Sequence, residues 1–153
     1  MADTPFLRDQ LQRAAPFALR VVQRRGGRAA ILYRRQADPA GRDRLQRVAA
    51  LSPLAYSAGQ SLIQDGVKQS LGAQQAVPLQ SGPFLPLDAT WGARLACFAL
   101  LAAGLRDGVR LLRAAERIRQ ADAAQAAWWL GLLLQDESGR TLRAFRILTE
   151  AVQ

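Results

Sequence analysis

The fold is determined by the stretch WGARLACFALLAAGL at residues 91–105. Eleven consecutive residues, from Leu95 to Leu105, carry no charge and lie between Arg94 and Arg106. A membrane-spanning helix needs about 20 apolar residues, so this stretch is too short to cross a bilayer. A helix that is apolar on every side is normally buried. We therefore predict that this segment is the core helix of a globular fold.

The composition indicates one globular domain that lacks the usual catalytic groups. The chain has 153 residues, half of them hydrophobic and 22% charged, which is typical of a protein that buries a single core. It contains no histidine, and its one cysteine, Cys97, lies inside the apolar stretch. These facts exclude an intrachain disulfide, a zinc site of Cys and His ligands, and a histidine-dependent triad. We predict a protein that is not an enzyme and has no metal or other cofactor.

The first residues, MADTPFLRDQLQRAAP, contain acids early and no apolar run long enough for a signal peptide. A short helix is predicted for residues 3–14, with Asp3 or Thr4 as its N-cap. We expect a cytoplasmic protein that does not enter a membrane.

The charge is strongly positive and unevenly distributed. The formal net charge is +9 and the pI is about 11.4. Residues 1–47 carry eleven Arg and four Asp, so most of the excess lies in the first third of the chain. The positive electrostatic field of such a protein attracts polyanions in a salt-dependent way. The charge therefore favours a nucleic-acid partner, either DNA or RNA. The alternative is genomic bias, because a GC-rich genome enriches Arg together with Ala, Gly and Leu.

The N-terminal part has a β pattern. Residues 17–24 and 28–35 alternate apolar and polar side chains, and Gly26 and Gly27 separate the two runs. Because glycines tolerate the positive φ angles of a tight turn, the pattern predicts a β-hairpin. Residues 44–51 are either a third strand or a short helix.

Helical patterns dominate the rest of the chain. Four of them follow a residue typical of an N-cap: Ser52, either Asp88 or Thr90, Asp107 and Asp122. The predicted helices cover residues 52–71, 91–105, 108–120, 123–134 and 140–152. In the helix 108–120, the side predicted to be buried contains Leu111, Leu112, Ala115 and Ile118.

The predicted fold class is α+β, mainly α. An N-terminal antiparallel β-hairpin or three-strand meander packs on a C-terminal bundle of four to five helices. Residues 72–87 contain three prolines and two glycines, so a linker without regular structure is predicted there. The single domain 1–153 then has a basic β-rich part at 1–51, a helix at 52–71, the linker at 72–87 and the helical bundle at 88–153.

Three sets of side chains are candidates for binding. The first set comprises the hairpin arginines Arg20, Arg24, Arg25, Arg28, Arg34 and Arg35, and Tyr33 lies among them in the sequence. They can contact a phosphate backbone, or they can form a solvated sheet face that discourages edge pairing.

The second set, called the helix stripe, comprises Arg106, Arg110, Arg113 and Arg117. Its alternative is the ordinary polar face of an amphipathic helix, with Glu116 beside Arg113.

Trp128 and Trp129 are the third candidate. Adjacent residues on a helix diverge by about 100°, so both rings cannot point into one small core. The pair therefore either packs at the edge of the core or includes a ring that contacts a protein partner.

Four segments carry a resemblance to a known family. They are PFALRVV at 16–22, PFLPLDATWGARLACFALLAAGLRD at 83–107, AAQAAWWLGLLL at 123–134 and GRTLRAFRILTEA at 139–151. In this order they resemble an uncharacterised family of small α+β proteins found in prokaryotic antiphage-defence gene clusters. The resemblance implies an N-terminal strand pair, an apolar helix after a proline-bearing linker, an aromatic pair in a later helix, and larger protein subunits as partners.

The leading hypothesis is a non-enzymatic accessory subunit of a prokaryotic antiviral defence complex. Such a protein, for example a CRISPR-effector-like small subunit, would contact nucleic-acid backbone or a large partner through its Arg-rich faces. The alternative is a protein-only structural adaptor whose positive charge reflects genomic bias.

Overall fold

The computed structural model of the protein describes residues 15–37, 43–72, 84–134 and 150. The elements in chain order are β1 Phe17–Arg24, β2 Gly27–Ala37, β3 Asp43–Leu51, α1 Pro53–Ala58, α2 Gln60–Gly72, β4 Phe84–Leu87, α3 Ala89–Ala102, α4 Gly108–Gln120 and α5 Ala123–Leu134. The α+β class is confirmed by the strands and helices of this described part. The helices predicted for residues 3–14 and 140–152 lie outside it, apart from residue 150.

The strands form one antiparallel sheet in the order β3-β2-β1-β4. The predicted hairpin is confirmed, but its turn consists of Arg25 and Gly26 rather than the two glycines, because Arg24 pairs with Gly27. Gly27 has a φ of +123°, a conformation that favours glycine. The segment predicted as a third strand or a short helix is strand β3, which pairs with β2 and has a bulge at Val48.

Strand β4 corrects the prediction that all of residues 72–87 form a linker. It pairs with β1 in a register that places Leu87 opposite Phe17. Leu87 is fully buried in the core, so burial of apolar side chains stabilises a strand here despite the prolines. Pro86 is tolerated because β4 is an edge strand, where one side of the backbone needs no ladder partner.

The helices cover one face of the sheet, and α3 occupies the centre of the core. It packs against β1, β3 and β4 and also against α2, α4 and α5. Leu95, Phe98 and Leu101 are completely buried, which confirms the predicted core helix. Burial raises the pKa of the Cys97 thiol to about 12, so this thiol stays protonated at neutral pH.

Two glycines determine how closely α3 approaches its neighbours. Gly92 faces β1, and a methyl group at this position would lie 2.7 Å from the Phe17 Cβ. Gly59 separates α1 from α2 and lies against the ring of Phe98. The single helix predicted for residues 52–71 is two helices, because Gly59 leaves the helical conformation, with φ of −94° and ψ of 14°.

Side-chain hydrogen bonds hold the ends of the helices. The predicted N-caps are confirmed, since each accepts a bond from a backbone N–H two or three residues later: Ser52, Asp88, Asp107 and Asp122. The Asp88 N–H donates to the buried Ser70 hydroxyl at 3.0 Å, which joins the start of α3 to α2. Arg94 donates to the Ala121 carbonyl at 2.7 Å, at the end of α4, and its guanidinium lies 4.5 Å from the centre of the Trp91 ring.

One residue predicted to lie in the core of α4 is exposed. Leu111, Ala115 and Ile118 are buried as predicted, but Leu112 is 56% exposed and Ala114 is buried instead. The reason is that the side of α4 that packs against α1, α2 and α3 does not include position 112. None of the helices in the described part is long and apolar enough to cross a membrane.

Candidate nucleic-acid interface

The face of the sheet that points away from the helices, called here the outer face, follows from the strand register. Phe17, Leu32 and Leu87 pack with the helices in the core, and the residues that alternate with them point to the opposite side. The outer face includes Ala18, Arg20, Val22 and Arg24 of β1, Ala29, Ile31, Tyr33 and Arg35 of β2, Leu45, Arg47 and Ala50 of β3, and Phe84 and Pro86 of β4.

The hairpin arginines do not share one surface. Three of them lie on the outer face: Arg20, Arg24 and Arg35. The other three lie elsewhere, with Arg25 in the turn and with Arg28 and Arg34 on the side of the helices. Arg34 borders a cleft of about 380 Å³ between the sheet and helices α3 and α5. The set divides because successive residues of a strand point to opposite faces.

Two residues that were not predicted as site residues complete the outer face. Phe84 contacts Tyr33 with ring centroids 5.4 Å apart and ring planes at 75°, an edge-to-face arrangement. Arg47 lies opposite Tyr33 in the register, is exposed, and also borders the cleft at the sheet edge. Tyr33 lies in a segment with a clear alternating strand pattern. Phe84 and Arg47 come close to Tyr33 only because β4 pairs with β1 and β3 pairs with β2.

The outer face is basic. Strands β1, β2 and β4 contain no acidic residue, and Asp43 at the start of β3 is the single acid of the described strands. Arg20, Arg24 and Arg47 are exposed and form no ion pair with another described residue. Exposed guanidinium groups beside partly exposed aromatic rings are typical of sheets that bind nucleic acid.

The helix stripe consists of three arginines of α4 and of Arg106, which lies two residues before the helix. All four of its arginines are exposed: Arg106, Arg110, Arg113 and Arg117. Glu116, expected beside Arg113, bonds instead with Arg119 at 2.6 Å, and hydrogen bonds from Arg119 and then from Gln120 lower the pKa of Glu116. The stripe thus keeps its positive charge. It belongs to the helix layer, which separates it from the outer face of the sheet.

Exposed apolar side chains lie beside the helix stripe. Val109 and Leu112 project from α4, and Leu54 of α1 lies next to Gly108 at the start of α4. Leu54 and Arg106 also line a cleft of about 240 Å³. We call Leu54, Val109 and Leu112 the apolar patch.

The two tryptophans occupy different environments. Trp129 is 2% exposed and belongs to the core, whereas Trp128 is 58% exposed on α5. The divergence expected for adjacent helical residues is confirmed. Trp128 therefore stays the candidate for a protein contact, and Trp129 is a packing residue.

The described residues do not form a metal-binding cluster. Within the described ranges, no group of three or more Asp, Glu, Cys and His side chains is placed to hold a metal ion. The nucleophilic thiol of Cys97 is completely buried.

Comparisons with known proteins identify the family of the chain. Residues 17–151 match the family model described as Domain of unknown function (DUF7680). No curated protein and no solved structure matches the chain. The matched range begins at the first residue of β1 and includes every described strand and helix, so the outer face and the helix stripe both lie within it. The chain belongs to the DUF7680 family.

Proposed function

We propose that the protein is a non-enzymatic accessory subunit of a prokaryotic antiviral defence complex and that it binds nucleic acid through the outer face of its sheet. The observation that carries the proposal is the outer face itself, where exposed Arg20, Arg24 and Arg47 lie on the same side as the Tyr33–Phe84 pair. Guanidinium groups bind phosphate oxygens, and a basic surface gains affinity by releasing the counterions of the nucleic acid.

The role in a defence complex is supported by the resemblance of four segments to proteins of antiphage-defence gene clusters. A CRISPR-effector-like small subunit is the sharpest form of this role. Such a subunit needs one surface for nucleic acid and another for larger protein subunits. The apolar patch and Trp128 lie on helices, away from the outer face, so the two kinds of contact would not compete.

A pair of charge-reversal variants tests where nucleic acid binds. The first variant replaces Arg20, Arg24 and Arg47 by Glu, and the second replaces three arginines of the helix stripe, Arg110, Arg113 and Arg117, by Glu. Both variants lose the same formal charge, so a difference in affinity reports position rather than net charge. Binding of fluorescent single-stranded DNA and RNA is measured by anisotropy at about 50 mM and about 200 mM salt.

The proposal expects the outer-face variant to lose most binding and the helix-stripe variant to retain it. Removing three phosphate contacts should also reduce the slope of log K against log salt by about 2 for a single strand. If the helix-stripe variant alone loses binding, the site is on α4 and not on the sheet. If the wild-type protein binds neither nucleic acid at low salt, the nucleic-acid part of the proposal is wrong.

A protein-only structural adaptor is the second candidate function, and the apolar patch favours it. Leu54, Val109 and Leu112 are exposed, and Leu54 lines a cleft with Arg106, as expected for a surface that meets an apolar and acidic partner. For a protein-only adaptor, replacing Arg20, Arg24 and Arg47 by Glu should leave defence activity in the natural host unchanged, whereas replacing Val109 and Leu112 by Asp should remove it. Full activity of this variant would count against the adaptor.

A further inference from the structure

A row of side chains across the outer face is suited to contacts other than phosphate binding. Tyr33, Ala18 and Pro86 lie side by side on β2, β1 and β4. Ala18 is completely buried although it lies on the outer face, whereas Tyr33 and Phe84 are partly exposed. Tyr33 and Phe84 lie on the strands on either side of β1, and their rings contact each other across it.

The geometry of the two rings leaves aromatic surface accessible. Tyr33 and Phe84 meet edge to face, with planes at 75°, so they do not cover each other as stacked rings would. Every nucleobase has a planar π-face, and stacking on protein aromatic rings is largely independent of base identity. A partly exposed ring on a sheet is the usual platform for this contact.

Each ring also has an arginine as its cross-strand neighbour. Arg20 lies opposite Phe84, and Arg47 lies opposite Tyr33. The Cβ atoms of directly opposed residues are about 5 Å apart, so a guanidinium can reach the phosphate of a nucleotide whose base stacks on the adjacent ring. The juxtaposition of ring and cation occurs twice on one face.

We infer that the outer face binds single-stranded nucleic acid, with one base stacked on Tyr33 and another on Phe84 while Arg20 and Arg47 bind the neighbouring phosphates. This inference rests on the proposed function and names its ligand class. A duplex does not satisfy the site, because its base faces are already stacked inside the helix. The helix stripe offers no such site, since α4 contains no aromatic residue.

The test compares ligands of equal backbone charge. The wild-type protein is titrated with oligothymidine of about 12 nucleotides, with an abasic phosphodiester of the same length, and with a duplex of that length at the same salt concentration. Stacking on two rings predicts that oligothymidine binds at least about tenfold more tightly than the abasic strand. Tyr33→Leu and Phe84→Leu keep the apolar volume but remove the π-face, so each should lower affinity for oligothymidine severalfold. Their affinity for the abasic strand should not change.

Two controls separate stacking from loss of structure. Trp128→Leu removes an exposed aromatic ring outside the outer face and should leave all affinities unchanged, and Tyr33→Phe should restore the affinity lost in Tyr33→Leu. If the Leu variants do not fold, the three ligands compared on the wild-type protein still decide the question. Equal binding of oligothymidine and the abasic strand, or tighter binding of the duplex, overturns the inference and leaves charge-driven binding intact. If no ligand binds, the proposed function fails as well.

Discussion

Adding one methyl group at Gly92 tests how α3 is seated on the sheet. In Gly92→Ala, the new Cβ would overlap the Phe17 side chain and lie 2.7 Å from the Phe17 Cβ. A rotation of the Phe17 ring cannot relieve this overlap, because the backbone fixes the position of a Cβ atom. Either α3 or β1 must therefore move.

The expected loss of stability is the difference between two effects. Overpacking a core usually destabilises a protein by about 1–3 kcal/mol, and an overlap with a Cβ atom belongs at the upper end of this range. Alanine is favoured over glycine inside a helix by about 1 kcal/mol. We expect Gly92→Ala to lower the free energy of unfolding by about 2 kcal/mol. For a chain of this length, that corresponds to a fall in Tm of about 4–8 °C.

The matched control is Gly131→Ala in α5. No heavy atom lies within 4 Å of a Cβ built at Gly131, so this variant should gain about 1 kcal/mol of stability from helix propensity alone. Urea unfolding followed by circular dichroism measures both variants, which should differ by about 3 kcal/mol at an unchanged m-value. A Gly92→Ala protein as stable as the wild type would refute the close seating of α3 on β1.

Three further predictions concern groups in and around the core. The buried thiol of Cys97 has a pKa of about 12 against an ordinary value of 9.0, so its stabilising effect is complete below pH 9 and is lost as the pH rises from 9 toward 12. Urea unfolding at several alkaline pH values should therefore show a smaller decline for Cys97→Ala than for the wild type. Ser70→Ala leaves the Asp88 N–H without its partner and should cost about 1–3 kcal/mol in thermal unfolding. Arg94→Lys should cost about 1–2 kcal/mol, because lysine cannot both cover the tryptophan ring and bond the end of α4, whereas Arg113→Lys should be neutral in the same assay.

The hairpin and the core helix could be predicted because their signals lie in neighbouring residues. Two glycines between alternating runs define a tight turn, and an uncharged helical stretch too short for a membrane requires burial. Strand β4 has no comparable local signal, since it has four residues and one of them is Pro86. It is a strand because β1 supplies hydrogen-bond partners from a distant part of the chain.

The candidate site was predictable only in part, for the same reason. A two-residue turn and strict alternation already imply that Arg20 and Tyr33 share a face and that Arg34 lies on the other face. The positions of Phe84 and Arg47 depend on β4 pairing and on the bulge in β3, which involve residues far away in the sequence. The exposure of a helical residue likewise depends on where the neighbouring helices lie, which periodicity alone does not specify.

The pairing of β1 with β4 has a consequence for how the protein is made. Their paired residues are 64 to 70 positions apart, and the entropic cost of closing such a loop grows with its length. During synthesis, β1 has an open edge and Tyr33 has no neighbouring ring until residues 84–87 have left the ribosome and docked. An open edge can pair with another chain, so aggregation is a hazard during this interval. The outer face exists only after the two halves of the chain have met, so its presence marks a polypeptide whose sheet has finished folding.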